Sequence, residues 1–163
     1  MLRSHSFLRL VIAIGASQLA GILGSFFTMS AIPEWYRYLL KPAIAPPNWV
    51  FGLVWTTLFI LMGVAAWLVW ERGARRRDVR IALGLFLIQL GLNTLWSVVF
   101  FGLQNPGAAF VEILILIIAI LATMRAFYPI SRLAALLLAP YIAWVSFAAY
   151  ITWSIYQLNT PLT

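Results

Sequence analysis

The chain has 163 residues, of which 64% are hydrophobic and only 9% charged, with a mean hydropathy of +0.97. Soluble domains sit near about 45–50% apolar and about 25% charged, so this composition marks an integral membrane protein. There is no cysteine, which excludes disulfides, thiol catalysis and thiolate metal sites, and the net charge of +7 comes from basic residues at the ends of apolar runs, a placement that favours an anionic lipid surface over nucleic acid.

A bilayer core of about 30 Å requires roughly 20 apolar residues in a helix. Five segments meet that length, at about 7–32, 48–70, 80–103, 107–128 and 133–158. No segment alternates polar and apolar residues with the period of two that a barrel strand needs. The expected fold is therefore an all-α integral membrane protein, a bundle of five transmembrane helices forming a single domain over 1–163.

The first segment follows Arg3, His5 and Arg9, which imitates a signal peptide. It is too long for a signal's apolar region and has no clear small-x-small cleavage site, so it reads as a retained span, with His5 in a terminus expected to fray. Along it, Ala13, Ser17, Gly21 and Ser25 recur at i+4 steps beside Ala16, Ala20 and Gly24. Such rows let helix backbones approach closely, within a bundle or between protomers.

The connection 33–47 carries Pro33, Pro42, Pro46, Pro47 and the only lysine, Lys41. Pro46 and Pro47 prepare a helix start, and the prolines stiffen the segment beforehand. Lys41 is expected to reach either the headgroup layer or a ligand carboxylate, with Trp49 and Phe51 anchoring the trailing edge to the second span. Within that span, Trp55 and Phe59 are i, i+4 neighbours, while Trp67 and Trp70 suit an interfacial belt. Five arginines then fall between Arg72 and Arg80, where anionic lipid is the expected partner.

The third segment places Gln89, Asn93, Trp96 and Phe100 on one helical face. Two amides in hydrocarbon need partners; Gln89 reads as interhelical glue, and Asn93 as glue or a ligand contact. In the fourth, Glu112 lies about one turn inside the helix start. It either reaches the interface near the helix dipole or faces the bundle interior. In the fifth, Tyr141, Trp144 and Ala148 line one face. Eight tryptophans in all, several of them inside spans, suit a flat, hydrophobic ligand held between planar walls.

Ordinary catalytic machinery is scarce: one histidine, and four acids of which Glu34, Glu71 and Asp78 lie in or beside connections. Neither a metal set nor a nucleophile-base pair can be assembled from these residues. Arg3, Arg9, Arg72–Arg80, Arg125 and Arg132 share one side, against Arg37 and Lys41 on the other. The positive-inside rule places the N-terminus in the cytoplasm, with the C-terminus and residues 33–47 outside.

Three motifs, in order, resemble the TspO/MBR family, the bacterial tryptophan-rich sensory proteins and the mitochondrial translocator protein. They are Trp35-Tyr36-x-x-Leu39-x-Lys41-Pro42-x-x-x-Pro46-Pro47-x-Trp49-x-Phe51 with Trp55 and Gly63; Leu92-Asn93-x-Leu95-Trp96-Ser97-x-x-Phe100-Phe101-Gly102; and Pro140-Tyr141-x-x-Trp144-x-x-Phe147-Ala148. The resemblance covers roughly residues 10–159. It implies a five-helix bundle, commonly a homodimer, acting as a receptor for porphyrins such as protoporphyrin IX in a cavity under a lid formed by 33–47. Carried over by motif, the ligand-binding set is Tyr36, Pro46, Trp55, Phe59, Asn93, Trp96, Trp144 and Ala148. Porphyrin enters as ligand, with no required cofactor and no metal. The resemblance also implies an alternative, light-dependent porphyrin breakdown involving Trp55 and Trp144; transport of the tetrapyrrole is a third reading, poorly matched by five spans without an inverted repeat. The bacterial cytoplasmic membrane is the expected location. Two departures stand out. Ile44 occupies a position where many members carry tryptophan. Trp153 and Gln157 break the sterol motif of the mammalian relatives.

Overall fold

The computed structural model describes residues 2–160, with side chains from His5 onward; the side chain of Arg3, counted above toward orientation, lies outside them. Six α-helices follow in order: α1 (Leu2–Glu34), α2 (Asn48–Trp70), α3 (Arg77–Ser97), α4 (Pro106–Phe127), α5 (Arg132–Leu137) and α6 (Ala139–Asn159). Together they make five membrane-length spans, because α5 and α6 continue one another. The protein is an all-α integral membrane protein.

Several boundaries differ from the sequence expectation for identifiable reasons. Helix α1 begins at Leu2, with His5 already helical, and continues through Pro33 to Glu34. Proline here falls in the last turn, where the helix stops one residue later. The fifth span is broken at Leu138, two residues before Pro140, which has no N–H to donate to Leu136. The third span runs on past Ser97 as a π-helical turn, Val98–Gly102, with Leu103 N donating to Val98 O at 2.8 Å. Both Phe100 and Phe101 are buried on this turn. Gln104, at φ 52°, then turns the chain into α4, and Asn105 caps that helix by accepting from Ala108 N at 3.0 Å.

Packing depends on close backbone approach where α1 crosses α2. A Cβ added at Gly63 would lie 2.5 Å from Ile14 Cα, so only glycine permits the crossing. Gly21 likewise takes the Phe59 ring against its backbone, and Gly24 faces Ser97. The small-residue row of α1 therefore serves packing within the bundle. Around the bundle, α1 contacts α2 and α3, α3 contacts α4, and α4 contacts α6, while α2 reaches α5 but scarcely α6. One large core joins α2, α3, α4 and α6; a smaller one gathers Tyr36, Phe100, Phe101, Ile151 and Ile155 beneath the first connection.

Candidate functional site

Because α2 and α6 stay apart, a cavity of about 440 Å³ opens between α1, α2, α3 and α6, at the end bearing the first connection. That volume falls in the range of small-molecule sites, roughly 300–1,000 Å³. Its aromatic walls are Tyr36, Phe51, Trp55, Phe59, Trp96, Phe100 and Phe101. Trp55 stacks on Phe59 at 5.5 Å between centroids, and Trp96 on Phe100 at 5.1 Å. Each pair sits at i, i+4 on its helix, the spacing that brings side chains together on one face.

Polar residues in the lining are mostly used up locally. The hydroxyls of Ser25, Thr28, Thr56 and Thr152 donate to carbonyls three or four residues back, at 2.7–3.2 Å. Gln18 Nε2 donates to Thr56 O at 3.1 Å. The hydroxyl bonds lie within single helices and the Gln18 bond joins α1 to α2, so these groups are satisfied and the lining is mainly apolar.

Asn93 is the buried amide at the wall. Its Nδ2 donates to Tyr141 Oη at 3.1 Å, and Tyr141 Oη donates in turn to Gln89 Oε1 at 2.7 Å. Gln89 is thus part of the interhelical glue between α3 and α6. Asn93 is both glue and lining, the two roles left open by its spacing. Glu112 is 7% exposed, and neither carboxylate oxygen has a partner among the described residues. Its side chain faces the bundle interior rather than the interface, but it does not line the cavity.

Six of the eight expected site residues meet at this cavity: Tyr36, Trp55, Phe59, Asn93, Trp96 and Ala148. Pro46 and Trp144 do not line it. Phe51 occupies the wall and packs edge-on against Trp144 at 5.9 Å, leaving the indole in contact with Phe147 instead. Trp144 Nε1 is buried there without a partner among the described residues. Pro46 belongs to the approach to α2, where Pro47 is extended (φ −57°, ψ 150°) and no side chain caps the helix. Trp49 is 71% exposed, so the anchor at that end is Phe51 alone.

The first connection is tied down by groups that local sequence did not reveal. Residues Tyr36–Tyr38 form a 3-10 turn that buries Tyr36 against Phe100 and Phe101. Lys41 does not line the cavity. It folds back: Nζ donates to Tyr36 O at 2.7 Å and Leu39 O at 2.9 Å, and stands 4.7 Å from the centre of the Tyr36 ring. Three donors on one flexible stem suit a cluster of carbonyls that a turn leaves unpaired. Burial lowers the pKa of Lys41 and raises that of Tyr36, each favouring the uncharged form. Farther along, Asn159 grips the backbone of Leu40 on both sides, accepting from its N–H at 3.0 Å and donating to its carbonyl at 2.9 Å. The C-terminal end of α6 thereby holds the middle of the connection.

Fold and cavity together define a class: a five-span helical membrane protein with an interior aromatic cavity at one end. The chain belongs to the TspO/MBR family, whose sequence model matches residues 13–158. It is 45% identical over 152 residues to the tryptophan-rich protein TspO of Archaeoglobus fulgidus, covering 93% of this chain and 97% of that one. It is 40% identical over 145 residues to the translocator protein of Homo sapiens, covering 88% and 86%. The tryptophan-rich sensory protein of Cereibacter sphaeroides is 37% identical over 126 residues, 77% of each chain.

Proposed function

We propose that the protein is a membrane receptor or sensor that binds flat hydrophobic ligands, porphyrins of the protoporphyrin IX type among them, in the cavity beneath a lid formed by residues 33–47. The observation that carries this is the composition of the wall: seven aromatic rings surround about 440 Å³, and the hydroxyls of Ser25, Thr28, Thr56 and Thr152 are bonded within their own helices. Planar π faces and a nearly apolar surround favour a planar apolar ligand. The names of the relatives, sensory and translocator proteins, agree with a receptor of this kind. Titrating purified protein with protoporphyrin IX should quench tryptophan fluorescence saturably, and a linear, unsaturating response would remove the proposal.

A second reading has support in Trp55, an indole at the cavity wall stacked on Phe59. An excited porphyrin beside it has an electron-exchange partner, which is the requirement for light-dependent breakdown. Trp144 lies behind Phe51, so Trp55→Phe should slow bleaching more than Trp144→Phe; equal bleaching in both and in wild type would leave binding alone. The expected setting is the bacterial cytoplasmic membrane, as a homodimer, with the arginine-rich end in the cytoplasm. Under that orientation alkaline phosphatase fused to the C-terminus is active, while a fluorescent protein that folds only in the cytoplasm is dark there.

A further inference from the structure

We propose that a groove between the C-terminal end of α4 and α5, at the end opposite the cavity, is a binding site for the headgroup of an anionic phospholipid. The groove is lined by Met124, Arg125, Tyr128, Pro129, Ala135 and Leu136. Beside it the Arg132 guanidinium stands 5.6 Å from the centre of the Tyr128 ring. Arg125 thus lines the groove, and the face of Tyr128, another lining residue, holds the Arg132 guanidinium beside it. A guanidinium offers paired N–H donors that match the spacing of phosphate oxygens.

Charge complementarity points to an anion. Among the described residues, Glu71 is engaged by Arg9 at 3.0 Å and Asp78 by Arg76 at 2.6 Å. The remaining acids, Glu34 and Glu112, lie toward the other end of the bundle, at the end of α1 and near the start of α4. Among the described residues Arg125 and Arg132 thus have no carboxylate partner, which leaves them available to an anion from outside the chain.

The surroundings point to a lipid. Leu121, Leu133 and Leu136 are 52%, 58% and 63% exposed on the two helices that form the groove. These side chains face hydrocarbon in a membrane, and they give an acyl chain a surface continuous with the headgroup contacts. Basic pockets between helices at the cytoplasmic side of membrane proteins are known to take anionic headgroups. The site is separate from the arginine tract of the second connection, whose side chains are exposed on the turn and at the start of α3.

The test uses the full chain in detergent, followed by native mass spectrometry during titration with phosphatidylglycerol or phosphatidylcholine. Wild type should retain phosphatidylglycerol at concentrations about tenfold lower than phosphatidylcholine. Arg125→Gln with Arg132→Gln should abolish that preference, and Arg125→Lys with Arg132→Lys should keep part of it, which guards against a folding defect in the glutamine pair. Arg75→Gln with Arg77→Gln should leave it intact. Soluble glycerol phosphate should fail to displace the bound lipid. Equal retention of both lipids by wild type would overturn the proposal, as would an unchanged preference in the glutamine pair. So would an equal loss in the Arg75 and Arg77 control, which would assign the effect to diffuse charge, or displacement by glycerol phosphate, which would show that a free anion suffices.

Discussion

At one end of the bundle the described basic residues are Arg37 and Lys41; at the other stand Arg9, Arg72, Arg75, Arg76, Arg77, Arg80, Arg125 and Arg132. The connections at the arginine end are short and held by exposed ion pairs, Arg9 with Glu71 and Arg76 with Asp78. The cavity end has a long irregular connection held by hydrogen bonds to backbone, from Lys41 and Asn159, and by the buried Tyr36 ring. Exposed ion pairs contribute little, about 0–1 kcal/mol each. A half-buried loop over a cavity needs stronger restraint, because its backbone groups must be satisfied away from water. The difference shows charge gathered on exposed surface at one end, and geometrically specific contacts to backbone used to build the surroundings of the cavity at the other.

The largest effect on this contrast is expected from Asn159→Ala. It removes both bonds to Leu40, each about 1 kcal/mol, so porphyrin should dissociate about tenfold to thirtyfold faster, read by stopped-flow fluorescence, with the thermal midpoint nearly unchanged. Lys41→Met should come next, with dissociation several-fold faster, since it removes two charge-assisted bonds at a half-buried site partly offset by the relief of burying a charge. Replacing Pro46 and Pro47 with glycine should weaken binding by roughly fivefold, through added freedom of the first connection at about 0.4–1 kcal/mol per proline. Arg9→Gln at the opposite end should be the smallest change, at most about 1 kcal/mol of stability with ligand kinetics unaltered. If Arg9→Gln altered dissociation as much as Asn159→Ala, the functional separation of the two ends would be lost.

Much of the bundle was legible because apolar length and prolines are local signals. The second span was expected at 48–70, and α2 is Asn48–Trp70. The shared face of Gln89, Asn93, Trp96 and Phe100 followed from helical period, and Gln89, Asn93 and Phe100 are buried as that face requires. The break at Leu138 had a signal, Pro140, that was passed over inside an otherwise apolar run. The π-helical turn had none, since an extra residue per turn leaves composition unchanged. Asn159 was invisible for a different reason: its partner Leu40 is 119 residues away, and nothing near either position marks the pair. The bonds from Lys41 to the carbonyls of Tyr36 and Leu39 depend on how the turn folds back, which the spacing of residues along the connection does not show. The place of Trp144 depended on which of two aromatic rings, Phe51 or the indole, takes the wall, a packing choice that spacing on one helix does not determine.

The central claim is that the aromatic cavity is where ligand binds, and Gly52 gives the most direct access to it. It lines the cavity, and a Cβ added there meets nothing within 4 Å, so Gly52→Phe should add bulk to the cavity without disturbing the bundle. Protoporphyrin IX titration of this variant beside wild type, with circular dichroism to confirm unchanged helicity, is the measurement. The account predicts saturable quenching in wild type and an affinity at least about tenfold lower in the variant, equivalent to roughly 1.4 kcal/mol. Equal affinity in the two proteins would place the ligand elsewhere and contradict it.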